Sequence, residues 1–265
     1  MRIILPIKQV PETSGVRMDE ATGTMIREGV EAIINPLDLY AIEAALRLRE
    51  ARGGEVVALS MGPPAATKAL REAIAMGVDR AVLLSDKAFA GSDTWATSYT
   101  LAAAIRRLAP YDLILCGERA TDGDTGQVGP GLAALLDLPV LTYVSRLEVA
   151  APGIVRAERL VEEGYETLEM DLPGVVTVLK EVASPRLPTL GGKRRAKAAE
   201  IPVWTAADLG VEADRVGLRG SPTRVVRIFR PTVTRKCEKV VAADEESIAA
   251  AADRLVEMLR GRGLI

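Results

Sequence analysis

The chain has 265 residues, of which 48% are apolar, 26% charged and 3% aromatic, so it can bury the core of one large domain or two small ones. Its 34 basic and 36 acidic residues leave a net charge of −2, which provides no electrostatic footprint for nucleic acid or an anionic membrane. Histidine is absent, which excludes His-based acid–base catalysis, Ser-His-Asp and Cys-His nucleophiles and most zinc sites.

Cysteine usage and the apolar runs indicate the compartment. The two cysteines, Cys116 and Cys237, lie far apart and form no disulfide framework. No apolar run approaches the ~18 residues needed to cross a bilayer, and the first residues lack the layout of a signal peptide. We therefore expect a reduced, cytoplasmic protein with no membrane insertion and no nucleic-acid partner. The missing histidine favours a binding or carrier protein over an enzyme.

Short apolar runs alternate with helical patterns over the first 144 residues, interrupted by a polar excursion or hairpin at 12–30. The predicted strands are 2–7, 55–60, 80–85, 111–116 and 139–144. The predicted helices are 35–53, 62–77, 92–109 and 131–137, the first with Asn35 as cap, Pro36 at its first position and Asp38 in its first turn. This alternation predicts a doubly wound α/β fold with a parallel sheet, whose ligands sit at the carboxyl ends of the strands.

The pattern changes after about residue 145. Four further segments, 146–150, 153–162, 165–172 and 174–180, predict strands joined by turns and hence a small antiparallel addition. Residues 184–202 contain three prolines and five basic residues and predict an exposed loop that can run into a helix.

The last quarter of the chain predicts an arm. Residues 203–242 look extended and poor in core periodicity, and 244–261 form an amphipathic helix with Ile248, Ala252, Leu255 and Leu259 on one face. We therefore predict an α/β nucleotide-binding domain at 1–202, including a partner-recognition loop at 184–197. The arm at 203–265 is expected to pack on a partner.

The segment CGERATDGDTGQVGP, residues 116–130, is the strongest candidate site. It follows a buried strand and leads into a helix, so it is either a capped turn or a cradle for a diphosphate, bound by N–H groups at the helix start. Gly126 and Gly129 allow a close backbone approach, and Thr125 offers a hydroxyl. Asp122 and Asp124 suit helix caps or acceptors for ribose hydroxyls. The segment is neither a Walker loop nor a GxGxxG motif.

Taken together, six segments resemble, in order and spacing, the beta subunit of electron-transfer flavoproteins: IKQVPE, NPLDLYAIEAALRL, SMGPP, AMGVDRAVLLSD, DLILCGERATDGDTGQVGP and SPRLPTL. The resemblance covers nearly the whole chain and is highly specific over 111–130. It implies a Rossmann-like fold and a heterodimer with an alpha subunit that carries a redox FAD. Electrons would come from dehydrogenases and pass to a quinone reductase or similar acceptor. The expected role is electron transport without catalytic residues or metal ligands.

The resemblance also implies where a second adenine nucleotide binds. The loop matching 120–131 would wrap its phosphates, and positions matching Pro6, Asn35–Asp38 and Met61 would line its adenosine part. The loop around Leu190 matches the recognition loop for dehydrogenases, and the C-terminal arm matches the segment that embraces the alpha subunit. The expected cofactor-binding residues are Pro6, Lys8, Asn35, Pro36, Leu37, Asp38, Met61, Ala120, Asp122, Gly123, Asp124, Thr125, Gly126, Gln127, Val128 and Gly129.

The nucleotide itself stays open between FAD and AMP. Family members that hold AMP lack the full DGDTGQVGP string, which looks more like members that hold FAD here and split electron pairs. Those members usually carry Ala where this chain has Gly126. The alternatives are therefore a simple one-flavin carrier and a bifurcating subunit that accepts hydride from NADH. A third class is a nucleotide-dependent enzyme, with Lys8 as its only obvious phosphate-activating group, or a stress or sensor protein on a similar fold.

Overall fold

The computed structural model describes residues 1–12, 17–18, 25–26, 31–226 and 239–265. Most of the predicted excursion at 12–30, part of the predicted extended segment at 203–242, and Cys237 lie outside these residues. Contacts between residues divide the chain into two units, 1–228 and 229–265. No helix among the described residues is long and apolar enough to cross a membrane.

Strands and helices alternate along the first unit as the sequence predicts. The strands are β1 (Arg2–Pro6), β2 (Gln9–Pro11), β3 (Arg17–Met18), β4 (Met25–Ile26), β5 (Ala32–Ile34), β6 (Glu55–Met61), β7 (Arg80–Leu84), β8 (Leu113–Gly117), β9 (Val140–Ala151), β10 (Ile154–Val161), β11 (Gly164–Asp171), β12 (Gly174–Val178) and β13 (Val203–Trp204). The helices are α1 (Pro36–Arg52), α2 (Thr67–Met76), α3 (Thr94–Arg107), α4 (Val128–Leu136), α5 (Leu190–Ala198), α6 (Ala206–Leu209), α7 (Gly217–Gly220) and, in the second unit, α8 (Glu245–Gly261).

One nine-stranded sheet in the order β11-β10-β9-β12-β8-β1-β6-β7-β13 organises the described part of the first unit. In the order of the sheet, all neighbours from β9 across to β13 at the far edge pair in parallel. Beyond β9, β10 and β11 extend the sheet by antiparallel pairing. This arrangement confirms the α/β prediction with an antiparallel addition. The prediction for 174–180 was wrong in one respect: β12 is a parallel strand inside the sheet. Its five residues are all buried, as expected for a strand covered on both faces.

The sheet is covered on both faces, so successive strand residues enter different cores. Ile3 and Leu5 of β1 belong to the core under α1 and α2, whereas Ile4 belongs to the core under α3 and α4. The same alternation repeats along β6. Helices on both faces leave the carboxyl ends of the strands as the open edge of the sheet, which is where a ligand can enter.

The observed division of the chain differs from the predicted one at 202/203. Val203 and Trp204 form β13, which pairs with β7, and Val216 is buried in the core beside α3. Asp93, just before α3, accepts hydrogen bonds from the N–H and the hydroxyl of Thr223 at 2.9 and 2.8 Å. The elements of this stretch, β13, α6 and α7, have only two to four residues each, too few for a recognisable hydrophobic period. Sequence patterns therefore assign them to the arm, whereas they belong to the first unit.

Candidate nucleotide-binding site

Three neighbouring parallel strands end together at one edge of the sheet, and the predicted site residues lie there. β1 lies between β6 and β8, and these strands end at Pro6, Met61 and Gly117. The pairing of β2 with β5 returns the chain to the same edge and places the start of α1 there. The backbone N–H of Asn35 then donates to the carbonyl of Lys8 at 2.8 Å.

Asn35 ties the start of α1 to the loop after β8. It occupies the N-cap position as predicted, but its side chain makes no capping hydrogen bond. The amide nitrogen instead donates to Asp38 Oδ1 at 2.9 Å and to the carbonyl of Arg119 at 2.8 Å. The amide oxygen accepts the N–H of Thr121 at 3.1 Å. Asn35 is 1% exposed, so these partners satisfy a buried polar group and fix the loop.

Asp38 completes the same cluster. Its Oδ2 accepts the backbone N–H of Lys8 at 2.7 Å while Oδ1 holds Asn35. Gly117 is required beside it, because a Cβ at that position would lie 2.5 Å from Asp38 Oδ1. Both carboxylate oxygens are therefore engaged in holding protein segments together. Asp38 organises the site rather than offering a free carboxylate to it.

Burial controls the charge of this carboxyl group. Removal from water raises the pKa of Asp38 from 3.8 to about 7, although the hydrogen bonds from Lys8 and Asn35 favour the ionised form. The unfolded chain releases this proton near pH 4, whereas the folded chain keeps it up to about pH 7. Proton binding by Asp38 therefore stabilises the folded chain in full below pH 4, and this stabilisation is lost as the pH rises through 7.

We expect the Asp38→Asn variant to lose this pH dependence. Between pH 5 and pH 7 the free energy of unfolding of wild type should fall relative to the variant by about 2 kcal/mol. The variant itself should be less stable at low pH, because its amide NH2 group cannot accept a hydrogen bond, whereas both oxygens of the protonated carboxyl can still accept from the two donors, Lys8 N–H and Asn35 Nδ2. Urea unfolding at several pH values measures both effects. A pH-independent difference between the two proteins would contradict the raised pKa.

The two acids of the loop are paired with basic side chains. Asp122 Oδ1 accepts from Lys8 Nζ at 2.7 Å, and Asp124 Oδ1 lies 3.0 Å from Arg119 Nε. The expectation that either acid caps α4 is wrong, because Gln127 precedes the helix and no side-chain cap is made. Pairing offsets the negative charge of the acids, which makes the loop a better neighbour for a phosphate than the sequence suggested.

The backbone of the loop adopts left-handed conformations at two positions, with φ of 53° at Asp124 and 63° at Gly126. The N–H of Asp124 donates to the carbonyl of Ala120 at 2.8 Å, which closes the turn. The loop then enters α4, whose first N–H groups have no intrahelical acceptors by helix geometry. These groups sit at the positive end of the helix dipole, where anions bind favourably.

Gly129 allows close packing of α4 on β12. It is buried at the start of α4, and a Cβ there would collide with the side chain of Thr177 on β12. Gly131 plays the same role towards α3, since its Cβ would lie 2.7 Å from Ser98 Oγ. Of the two glycines that the sequence assigned to ligand approach, only Gly126 has a conformation that favours glycine.

Two residues that the sequence analysis missed lie beside the loop. The hydroxyl of Thr94, at the start of α3, donates to Thr125 Oγ1 at 3.3 Å. Tyr143 has a φ of 57° where the pairing of β9 with β12 shifts register, and a Cβ on Gly126 would lie 3.9 Å from its hydroxyl. A strand irregularity of this kind re-aims a side chain. Neither residue has a local sequence signal, because both reach the loop through tertiary structure.

The edge of the sheet therefore presents the donors that a nucleotide phosphate requires. These are the first N–H groups of α4, the hydroxyls of Thr94 and Thr125, and the ammonium group of Lys8, with the nearby acids already paired. Among the residues described, no group of three Cys, Asp or Glu side chains could hold a metal ion. The donor set suits an anionic ligand rather than a cation.

Two other predicted residues lie apart from this chemistry. Cys116 is buried in β8, and burial strongly raises the pKa of its thiol, so the thiol stays protonated. Leu190 is the first residue of α5, which packs against α2. It is 71% exposed.

Comparison with known proteins gives one consistent family. The model of the electron transfer flavoprotein domain matches residues 22–209. An electron transfer flavoprotein subunit beta from Thermoanaerobacterium thermosaccharolyticum is 46% identical over 266 residues and covers 100% of both chains.

Two further relatives have other names. The caffeyl-CoA reductase-Etf complex subunit CarD of Acetobacterium woodii is 44% identical, with 100% of each chain covered. The protein FixA of Azorhizobium caulinodans is 44% identical and covers 98% of this chain and 94% of its own. The similarity thus extends over whole chains and includes every segment that forms the edge of the sheet.

Proposed function

This chain belongs to the electron transfer flavoprotein family, as the beta subunit of the heterodimer, and we propose that it binds an adenine nucleotide at the loop of residues 118–129. The observation that carries the proposal is the buried pair Asn35 and Asp38. This pair ties the Lys8 segment, the start of α1 and the loop into one arrangement. Holding three segments in fixed positions before the ligand arrives reduces the entropy lost on binding.

The phosphates would lie at the start of α4, near Thr125, Thr94 and Lys8. The adenosine part would lie along the strand ends, near Pro6, Met61 and the first turn of α1. Pro6 is buried and Met61 half-buried, which provides an apolar surface beside the polar cluster. Such a combination of an apolar wall with few convergent polar groups is typical of small-molecule sites.

We favour FAD over AMP as this nucleotide. The hydroxyls of Thr94 and Thr125 lie 3.3 Å apart, and Lys8 Nζ and the first N–H groups of α4 add donors from two further segments, which supports binding of more than one phosphate. Asp122 and Asp124 are paired with Lys8 and Arg119 and so oppose a second phosphate less than free carboxylates would. When bound, FAD would supply an isoalloxazine that carries electrons, whereas AMP would be structural only.

The chain is an electron-carrier subunit, and its alpha partner is expected to carry a redox FAD. We propose dehydrogenases as donors, docking at Leu190, and a quinone reductase or similar protein as acceptor. We also propose that α8 packs on the alpha subunit. Membership of the family removes the reason to consider a transferase, a ligase or a sensor protein.

A second candidate function is electron bifurcation starting from NADH. It is favoured by the DGDTGQVGP string and by the ammonium group of Lys8 at the same edge of the sheet. In this case the heterodimer would oxidise NADH, whereas a simple carrier would not. Stopped-flow mixing of the oxidised heterodimer with NADH separates the two functions by the presence or absence of rapid flavin bleaching.

The Lys8→Met variant tests the binding site. It removes a cation and leaves Asp122 without its partner, so we expect the affinity for the nucleotide of this subunit to fall about tenfold, which is ~1.4 kcal/mol. Asp122→Asn should have the opposite sign and tighten binding. Lys68→Met is the matched control, because Lys68 forms an ion pair of similar length with Glu31. Equilibrium dialysis of the heterodimer measures all three, and equal affinities for wild type and Lys8→Met would place the phosphates elsewhere.

A further inference from the structure

Arg186 holds the segment before α5 onto α1. Its Nε and Nη2 donate to the carboxylate of Glu43 at 2.7 and 3.1 Å, and its backbone N–H donates to the same group at 3.2 Å. Nη1 and Nη2 also donate to Glu50 at 2.5 and 3.0 Å. Glu43 has only 4% of its side chain exposed. One guanidinium therefore joins a buried and a half-exposed carboxylate that lie about two helical turns apart on α1.

The chain after this segment is also held in place, at the start of α5. The hydroxyl of Thr189 caps α5 by accepting the N–H of Gly192 at 2.9 Å. Gly192 lies so close to α2 that a Cβ would collide with the carbonyl of Ala75.

Two arginines then join α2 and α5, because each helix supplies an arginine that caps the C-terminal end of the other. Arg195 of α5 donates to the carbonyls of Ile74 and Val78 at 2.8 and 3.2 Å, at the end of α2. Arg71 of α2 donates to carbonyls at the end of α5, those of Ala196, Lys197 and Ala199. These bonds use carbonyls that a helix end leaves without partners. The downstream half of the segment is thus held independently of Arg186.

Between these two fixed points the chain exposes two large apolar side chains. Leu187 is 85% exposed and Leu190 71% exposed. Pro188 separates them and lines an open groove of about 490 Å³ that also contains Lys193 and Lys197. Leucines at these exposures bury little apolar surface in this chain, so holding them in place contributes little to its stability.

We infer that Arg186 is a positioning residue, which holds Leu187 and Leu190 in the orientation that an electron-donating flavoprotein contacts. The inference rests on the proposed role of Leu190 in docking. Fixing the segment before contact lowers the entropy lost when the donor binds. The donor surface that fits is an apolar pocket with an acidic rim, since Lys193 and Lys197 flank the leucines. If Arg186 had a structural role alone, it would do no more than pair with the buried Glu43.

A double-mutant cycle between Arg186→Met and Leu190→Ala separates these roles. It uses the complete heterodimer and the flavoprotein dehydrogenase that reduces wild type fastest in a panel, with a dye as final acceptor. We expect Leu190→Ala to raise KM for the donor roughly tenfold and Arg186→Met to raise it roughly three- to tenfold, with kcat unchanged. In the Leu190→Ala background, Arg186→Met should change KM by a smaller factor than in wild type, because only Leu187 then still depends on Arg186.

Controls keep folding and docking apart. Arg156→Met is the matched control, because Arg156 also bridges two carboxylates, Glu148 and Glu169, and it should leave KM unchanged. If Arg186→Met does not fold, Arg186→Lys and Glu50→Gln replace it in the cycle, since each leaves a cation at position 186 beside Glu43. Arg186→Lys should have a KM between those of Arg186→Met and wild type. Faster hydrogen exchange at 184–190 than in wild type should accompany the raised KM.

The outcomes are distinct. If Leu190→Ala changes nothing with any donor, the proposed docking function fails. If Leu190→Ala raises KM and the effect of Arg186→Met is fully additive or absent, docking stands and the positioning role of Arg186 is overturned. An effect of Arg186→Met that is smaller in the Leu190→Ala background than in wild type supports the inference.

Discussion

Replacing Gly126 by valine is expected to remove the nucleotide from this subunit, with a loss of affinity of roughly a hundredfold or more. Gly126 has a φ of 63°, in the left-handed region that a β-branched residue adopts only under strain. Space is not the obstacle, since the nearest atom to an added Cβ is the carbonyl oxygen of Glu118 at 3.6 Å. The strain would instead change the path of the loop between Asp124 and α4, where the phosphate donors lie.

The Gly153→Val variant is the matched control for Gly126→Val. Gly153 has a φ of 80° in the turn between β9 and β10, and nothing lies within 4 Å of an added Cβ. Both substitutions therefore introduce the same kind of backbone strain, but only one touches the loop. We expect similar losses of stability in thermal unfolding and a loss of nucleotide in Gly126→Val alone. Retained binding in Gly126→Val would show that the loop does not hold the ligand.

Deleting residues 243–265 is expected to abolish association with the alpha subunit. The deleted helix α8 exposes Ile248, Leu255 and Met258 in this chain, and burying such side chains on a partner contributes ~25 cal/mol per Å². The core residues of the first unit all precede residue 217. The truncated chain should therefore keep the circular dichroism and unfolding transition of an α/β domain. Size-exclusion chromatography with the alpha subunit measures the association.

Point variants of α8 sharpen this test. Leu255→Glu places a charge on the apolar face, whereas Glu257→Ala changes the opposite face of the same helix. The first should weaken the heterodimer by at least about tenfold, and the second should leave it unchanged. A heterodimer that survives both the truncation and Leu255→Glu would mean that the alpha subunit binds elsewhere on the chain.

Local sequence patterns predicted the part of the fold that depends on short-range periodicity. The apolar runs at β1, β6, β7 and β8 and the helices between them stand where they were expected. Ligands of parallel sheets bind at the carboxyl ends of the strands, and this rule placed Lys8, Met61 and the 116–130 segment at one common edge from their positions in the sequence alone. Asn35 was expected there only from the family resemblance.

The contacts within the site were not predictable, because they join residues far apart in the chain. Lys8 and Asp122 are 114 residues apart, and Asn35 reaches Arg119 across 84. Local spacing made Asn35 and the two acids look like helix caps, since capping is the commonest use of such residues before a helix. Only the fold shows that Asn35 binds the loop and that the acids pair with basic side chains.

The short elements after residue 180 were also beyond sequence patterns. α5 has two glycines in its first turn and little apolar content, so its propensity for a helix is poor. It forms because Arg71 and Arg195 cap the two helices reciprocally and because Gly192 allows close contact with α2. The position of β12 did carry a signal, an unbroken apolar run typical of a strand covered on both faces.

The most direct test of the central claim, that the loop at 118–129 of this subunit holds FAD, is a count of nucleotides released by acid from the purified heterodimer. Mass spectrometry identifies each nucleotide, and absorbance gives its amount per heterodimer. The account predicts two FAD per heterodimer in wild type and in Gly153→Val, and one in Gly126→Val. One FAD with one AMP in wild type, or the same two FAD in Gly126→Val, would contradict it.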